Sequence, residues 1–320
     1  MRRLSYDKKD LGYSFALTTL VMVVAALVLQ FFIGAAASGW KFWLMQALYT
    51  LLIGSSAFLY AAISKTNVFV ATRLDRHPIL SHVLWGCGAA VFLVLCMSQI
   101  NNLFLDLIES LGLKRPSVEL DNNFAGLIIC ACILPAFAEE IVFRGTLAQS
   151  LYNHKSKVAA LAISGALFSL FHANPAQTLH QFVLGVFLTL LVFRSGSLWT
   201  SIIVHFFSNA FVVLLAYTPL GDDEFWNLQT NVFALPLMII GIAGFVVCVL
   251  FYVLTTKSNW QKPVVDTVDT PAESDGDAEV TSDEEPIEAE SATANRKLSN
   301  TPLWVGIFVC AVLWIAQLLE

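Results

Sequence analysis

Residues 124–152 read FAGLIICACILPAFAEEIVFRGTLAQSLY. Fifteen positions pass without a charge. Then Glu139, Glu140 and Arg144 appear, and the apolar character resumes behind them. The run exceeds the roughly 20 residues a helix needs to cross about 30 Å of hydrocarbon. On a soluble protein such charges would mark a surface. Inside a membrane span they are expensive, and they mark function by default. The rest of the chain decides between these settings.

The 320 residues are long enough for two soluble domains, but 57% are hydrophobic and only 13% charged. Soluble domains average about 25% charged residues, so a water-facing surface cannot be built from this supply. The chain reads as all-α, a polytopic transmembrane helical bundle of eight or nine spans. Apolar runs fall at about 13–36, 42–64, 82–105, 124–152, 158–173, 179–194, 198–217, 232–255 and 303–319, the fifth, sixth and ninth being short. The expected organisation is spans one to three in residues 1–123, a core in 124–217, an eighth span in 218–258, a linker in 259–301 and a ninth span in 302–320. Ala35-Ala36-Ala37 resembles a small-residue cleavage site. The apolar stretch before it is longer than the usual 7–15 residues of a signal peptide, so the first run reads as a retained span.

The net charge of −6 is unevenly placed. Eleven acids lie between Asp266 and Glu290, against Arg296 and Lys297, giving −9 locally and leaving +3 for the remainder. This stretch has no aromatics and is rich in Pro, Ser, Thr and Ala, a composition that cannot offset its ordering entropy. It is expected to be a disordered linker. Lys and Arg favour the cytoplasmic side of a membrane. With the N-terminus inside, fourteen of them, from Arg2 and Arg3 through Lys65, Arg73, Arg76 and Arg194 to Lys257 and Lys297, face the cytoplasm, and only Lys41, Lys114 and Arg115 face out. The N-terminus and the acidic linker are thus expected in the cytoplasm, and the C-terminus outside. The six cysteines lie in apolar runs without a CxxC pair, which suits small hydrophobes better than disulfides or thiolate metal sites. No Gly-rich phosphate loop or basic-aromatic groove is present, so no nucleic acid is expected as a partner. The expected partners are the lipid bilayer and a molecule that reaches the intramembrane charges.

Three spans carry the ionisable groups that mark function: Glu139, Glu140 and Arg144 in the fourth, His172 at the end of the fifth, and His205, with Asn209 beside it, in the seventh. Glu140 and Arg144 are i, i+4 neighbours and can pair. Glu139 points about 100° away, without a partner on its own helix. His205 and Asn209, also i, i+4, can project into one cavity. At 1.5 Å per residue, Glu139 lies roughly 20 Å from the inner end of its span, His172 about 21 Å up the fifth and His205 roughly 10–15 Å up the seventh. The three can meet if the fourth helix continues past Gly145 to Tyr152.

A carboxylate, two imidazoles and a carboxamide around a wet cavity suit hydrolysis. Glu139 can act as general base towards water. His172 can orient that water or help bind a divalent metal. His205 and Asn209 can donate hydrogen bonds to the oxyanion of a tetrahedral intermediate. There is no HExxH, and no serine shows a spacing to histidine that favours a nucleophile.

Glu139-Glu140-xxx-Arg144, then Phe168-xxx-His172, then His205-xxx-Asn209, in order on separate apolar spans, resembles the motif set of the CPBP intramembrane protease family. That family includes the type II CAAX prenyl endopeptidases and bacterial proteins of the Abi group linked with bacteriocin processing or immunity. His172-x-Asn174-Pro175 and Gly196-Ser197-Leu198-Trp199 add to the likeness, which covers about residues 120–215. The resemblance implies a membrane-associated peptide or protein substrate and a bacterial inner membrane as location. It implies that Glu139 and His172 activate water, that His205 and Asn209 stabilise the oxyanion, and that Glu140 and Arg144 hold the site together. The family is named as metalloproteases, and a metal-free glutamate mechanism is also argued for it. Glu139, His172 and His205 could hold a zinc ion with water as fourth ligand. Glutamate-activated water is the favoured reading.

Blander readings compete. An intramembrane Glu–Arg pair is often structural, an Asn can simply bond across helices, and Phe168 reads as packing. His180 could line the same cavity, and His82 reads as interfacial. Gly165 and Gly185 read as sites of close helix approach. A proton-coupled transporter would use the same buried charges, and an immunity protein would leave the site unused. A transporter predicts related halves, which this chain does not show.

Overall fold

The computed structural model describes residues 2–34, 38–114, 123–152, 156–218, 220, 225, 231–260 and 300–319. The acidic linker, Ala35-Ala36-Ala37 and Arg115 lie outside the described residues. The described chain is helical, with one isolated bridge between Arg3 and Thr66. The long helices are α1 (Lys8–Ile33), α2 (Trp40–Ile63), α3 (Leu80–Ser110), α4 (Phe124–Leu151), α5 (Lys157–Phe171), α6 (Thr178–Ser195), α7 (Leu198–Ala216), α8 (Ala234–Thr255) and α9 (Thr301–Leu319). Each coincides with one apolar run of the sequence.

Eight of the described helices are long and apolar enough to cross a membrane, and the protein is an integral membrane protein with an all-α bundle. The exception is α5. Its 15 residues span about 22 Å, short of the roughly 30 Å hydrocarbon core. It lies against α6, where a Cβ on Gly185 would come within 2.9 Å of Gly165 Cα. Two facing glycines thus let the helices approach backbone to backbone, as small residues do at membrane interfaces.

Local signals set the helix ends. Asn123 caps α4, its Oδ1 accepting from Gly126 N at 3.0 Å. Ser156 caps α5, accepting from Ala159 N at 3.2 Å. Gly196 closes α6 in the left-handed region at φ 75°, where a side chain would be strained, and its amide donates to Val192 O at 2.8 Å.

Mostly backbone contacts gather many of the basic residues at one end of the bundle. Arg3 N donates to Lys65 O, Leu198 N to Arg73 O and Asn259 N to Arg194 O. Lys157 stands 5.4 Å from the Trp260 ring. The N-terminal segment, the α2–α3 connection, the start of α5, the α6–α7 turn and the end of α8 therefore share this basic end, as the charge pattern of the sequence requires. His82, expected near an interface, sits on the first turn of α3 and is buried against α8, its Nδ1 2.9 Å from Tyr252 Oη.

Two large apolar clusters dominate the interior, beside three smaller ones. One joins α3, α6, α7 and α8 through residues such as Leu93, Leu188, Val204 and Tyr252. The other joins α1, α2, α4, α5, α6, α7 and α9, with Phe143, Phe168, Phe193 and Cys310 among its members. The second cluster surrounds the intramembrane charges.

The α3–α8 seam depends on Gly241, where a Cβ would lie 2.6 Å from Cys96 N and 3.0 Å from Cys96 Cα. Backbone cannot yield as a side chain can, so Gly241→Ala should separate the helices and destabilise the fold by about 1–3 kcal/mol. Gly88 is the control, because its Cβ would meet only Cys248 Sγ at an ordinary 3.8 Å. Reversible unfolding in detergent should show the loss for Gly241→Ala and almost none for Gly88→Ala.

Candidate active site

The site is built on α4, which is not uniformly α-helical. Ile128–Ile133 and Ile141–Leu147 are π-helical, and Leu134–Glu140 between them is α-helical. Single widened turns inside helices are frequent at functional sites. Side chains span the second of them at the same five-residue interval: Thr146 Oγ1 donates to Ile141 O at 3.2 Å and Gln149 Nε2 to Arg144 O at 3.0 Å. Gln149 Oε1 in turn accepts from Arg73 Nε at 2.9 Å, and the Arg73 guanidinium lies 4.0 Å over the Tyr152 ring. These contacts carry α4 on beyond Gly145 to Leu151, the continuation that the depth arithmetic requires.

The innermost element is a closed polar unit. Arg144 Nη1 donates to Glu140 Oε1 at 2.7 Å, and both side chains are wholly buried. His205 Nδ1, from α7, reaches the same Oε1 at 2.8 Å. The Arg144 guanidinium lies 4.0 Å over the Phe168 ring, which also meets the His172 ring edge-on at 4.7 Å and the His205 ring at 5.9 Å. The backbone carbonyl of Phe168 faces His172 Nδ1 at 2.8 Å. Phe168 therefore does more than fill space: it supports the cation and touches both imidazoles.

These bonds orient both rings. A carbonyl and a carboxylate are acceptors, so Nδ1 of His172 and Nδ1 of His205 each carry a proton. In the neutral imidazole, Nε2 then bears the lone pair. Both Nε2 atoms turn towards Glu139 Oε2, at 3.8 Å from His172 and 3.9 Å from His205. Those separations exceed a direct hydrogen bond and suit one water within reach of all three groups. Exposure separates the carboxylates: the Glu139 and His172 side chains are 19% and 15% exposed, whereas Glu140 is sealed. Of the two glutamates, Glu139 is the one not sealed inside the protein.

Asn209 behaves differently from its histidine neighbour. Its Nδ2 donates to Ala131 O at 3.1 Å. Pro135, four residues beyond Ala131, has no N–H to offer that carbonyl. Asn209 thus ties α7 to α4 at its proline, which commits one of its two amide hydrogens. His180 lies on the first turn of α6, half-buried, and among the described residues no hydrogen bond or ion pair joins it to the site.

Glu139, His172 and His205 are also the candidate zinc ligands of the sequence. Ligands of a tetrahedral zinc with bonds of 2.0–2.1 Å stand about 3.3 Å apart. The separations here are wider, and among the described residues no three His, Cys, Asp or Glu side chains are placed to hold a metal ion. In this arrangement Glu139 stands about 0.5 Å beyond that ligand spacing from each imidazole.

Fold and site together define a polytopic membrane protein with a glutamate–histidine cluster on three of its helices. Residues 121–211 match the family model described as type II CAAX prenyl endopeptidase Rce1-like. The chain is also similar to the protein named "Putative membrane peptidase YdiL" of Bacillus subtilis (strain 168), with 30% identity over 96 residues. That stretch covers 30% of this chain and 39% of the relative, so the likeness concerns well under half of either protein. No solved structure matches the chain. The matched segment contains every group of the cluster and leaves out α1, α2, α3, α8 and α9.

The closed unit and the accessible carboxylate should respond differently to mutation. Removing one partner from a buried ion pair leaves an uncompensated charge and costs about 3–5 kcal/mol. Glu140→Ala and Arg144→Ala should each lose stability on that scale in detergent unfolding. Glu139→Gln, which breaks no direct hydrogen bond or close ion pair, should stay within about 1 kcal/mol of wild type.

Proposed function

We propose that this protein is an intramembrane endopeptidase that hydrolyses a peptide bond of a membrane-associated protein or peptide. The observation that carries the reading is the convergence of two imidazole Nε2 atoms on the accessible Oε2 of Glu139, at 3.8 and 3.9 Å. Support comes from the endopeptidase family model, whose match covers α4, α5 and α7 as far as residue 211, and from the relative named a membrane peptidase.

In this mechanism Glu139 takes a proton from water while the His172 Nε2 lone pair accepts the other water hydrogen and fixes its orientation. The water oxygen attacks the scissile carbonyl carbon. Negative charge moves to the carbonyl oxygen, where His205, when doubly protonated, donates from Nε2. Its second proton remains on Nδ1 against Glu140 Oε1, and that carboxylate compensates the imidazolium charge. The free N–H of Asn209 is the second donor to the oxyanion. Glu139 then delivers its proton to the leaving nitrogen, the C–N bond breaks, and a carboxylic acid and an amine result; the acid's proton passes to the amine, so that they leave as carboxylate and ammonium. Glu140 and Arg144 act as supports, holding His205 in place.

The basic end of the bundle faces the cytoplasm in this reading, following the preference of Lys and Arg for that side. The site lies about 18 Å from that end along α4, deep enough to exclude bulk water from the reacting carbonyl. The family description points to C-terminal CAAX-type substrates as the first class to try, with prenylated and unprenylated peptides separating the lipid from the sequence as the recognised feature.

Purified full-length protein in liposomes should cleave a quenched-fluorescent membrane-associated peptide from such a panel. Glu139→Ala and His172→Ala should each lower the rate by at least about 10²–10⁴, the contribution of a positioned general base, while elution profile and helicity stay those of wild type. Full activity in Glu139→Ala would sink the assignment. Cleavage that survives metal stripping and chelation fits the glutamate mechanism, and loss restored by zinc would replace it with a metal-assisted one.

A further inference from the structure

The connection that carries His172 is held in place from outside the matched segment. Beyond Phe171 the chain turns through His172 and Ala173, whose φ of +47° is unusual for a residue with a side chain. Such backbone persists only where its surroundings over-determine it. Part of the support is local. Asn174 Oδ1 accepts from Ala176 N at 2.9 Å, Ser169 Oγ donates to Thr178 O at 2.7 Å, and Thr178 Oγ1 donates to Asn174 O at 3.1 Å.

The remainder comes from two distant helices. Asn101 on α3 donates to Ala176 O. Trp314 on α9 donates its indole N–H to Thr178 Oγ1 at 2.7 Å. Around this bond, Leu318 of α9 packs with Leu105 and Ile108 of α3 and with Ala176 of the turn. Thr178 uses its single hydroxyl hydrogen on Asn174 O and its oxygen on Trp314, so the two bonds form one chain from α9 into the turn.

The position of Trp314 is itself registered. Along α1, Gly306 leaves room for Phe15, whose Cδ1 would lie 2.8 Å from an added Cβ. Four residues on, Cys310 Sγ stands 3.9 Å from Thr19 Oγ1. With α9 fixed against α1 at Gly306, Trp314 falls about 12 Å further along, level with the turn. The other face of α9, with Phe308, Val312 and Ile315, is exposed.

We propose that Trp314 is a positioning residue for His172, and that α9 serves to brace the His172 turn through Thr178. The proposal rests on the reading of His172 as the group that orients the attacking water. Trp314→Phe keeps the aromatic packing and removes the N–H. Thr178→Val keeps the shape and removes the hydroxyl, and Thr178→Ser restores it.

The test uses the full chain and two readouts. Amide hydrogen exchange across residues 172–178 should be about threefold faster in Trp314→Phe, the factor expected for one hydrogen bond between membrane helices, and at least as fast in Thr178→Val. With the peptide panel described above, kcat should fall about three- to tenfold with KM unchanged, because a small misplacement of a reacting group acts on the chemical step. For both readouts the double variant should be no worse than Thr178→Val alone, and Thr178→Ser should behave as wild type. Unchanged exchange in Trp314→Phe, additive losses in the double variant, or a change in KM alone would each overturn the proposal. If wild type cleaves none of the peptides, the protease reading fails, and exchange still decides whether α9 braces the turn.

Discussion

The sealed carboxylate of Glu140 is the constraint on which the rest of the site depends. One of its oxygens, Oε1, receives Arg144 from its own helix and His205 from α7. A charge buried this deeply is unfavourable until it is paired and hydrogen-bonded. Both partners lie in fixed directions, so satisfying Glu140 fixes the rotation of α4 about its axis and the height of α7 beside it. That rotation turns Glu139, the adjacent residue, towards α5 and α7. The accessible carboxylate is aimed by the inaccessible one.

The local irregularity of α4 serves the same end. A regular helix would carry Pro135 with a missing donor and a steric clash one turn back. Here the turns on either side of Leu134–Glu140 are widened, and Asn209 supplies a donor to the carbonyl that Pro135 cannot serve. Proline, widened turns and the asparagine of α7 are therefore one arrangement. Irregular backbone is tolerated at membrane depth only where protein groups re-satisfy it, and α4 meets that condition by packing between α2 and α7. The same packing brings Glu139 within 4 Å of two histidines.

Much of this could be read from the sequence, for identifiable reasons. Helix spans follow from apolar runs because the bilayer sets both length and composition. The Glu140–Arg144 pair follows because i, i+4 neighbours share a helix face. The meeting of Glu139, His172 and His205 follows from depth, since rise per residue is nearly constant. Spacing does not encode how helices are rotated against one another. Hence the His205–Glu140 bond, the Asn209–Ala131 bond and the several contacts of Phe168 are visible only in the structure. The widened turns of α4 leave no pattern beyond Pro135. The Tyr252 hydroxyl that His82 meets is likewise hidden from the sequence, since it comes from a helix 170 residues away.

The division of labour between the two glutamates follows from the same energetics. A site with both carboxylates open to water would hold two like charges side by side on adjacent residues, and each would disfavour ionisation of the other. Neutralising Glu140 with Arg144 removes most of that conflict, because the pair is sealed and its opposite charges stand 2.7 Å apart. Glu139 is then left facing two imidazole Nε2 atoms, at 3.8 and 3.9 Å, and has no arginine of its own. A carboxylate in that position is available to exchange a proton with water, whereas one held by arginine is not. The Glu-Glu-xxx-Arg pattern therefore separates two environments within six residues of one helix: one carboxylate is paired and sealed, and the other is left unpaired by arginine and partly open.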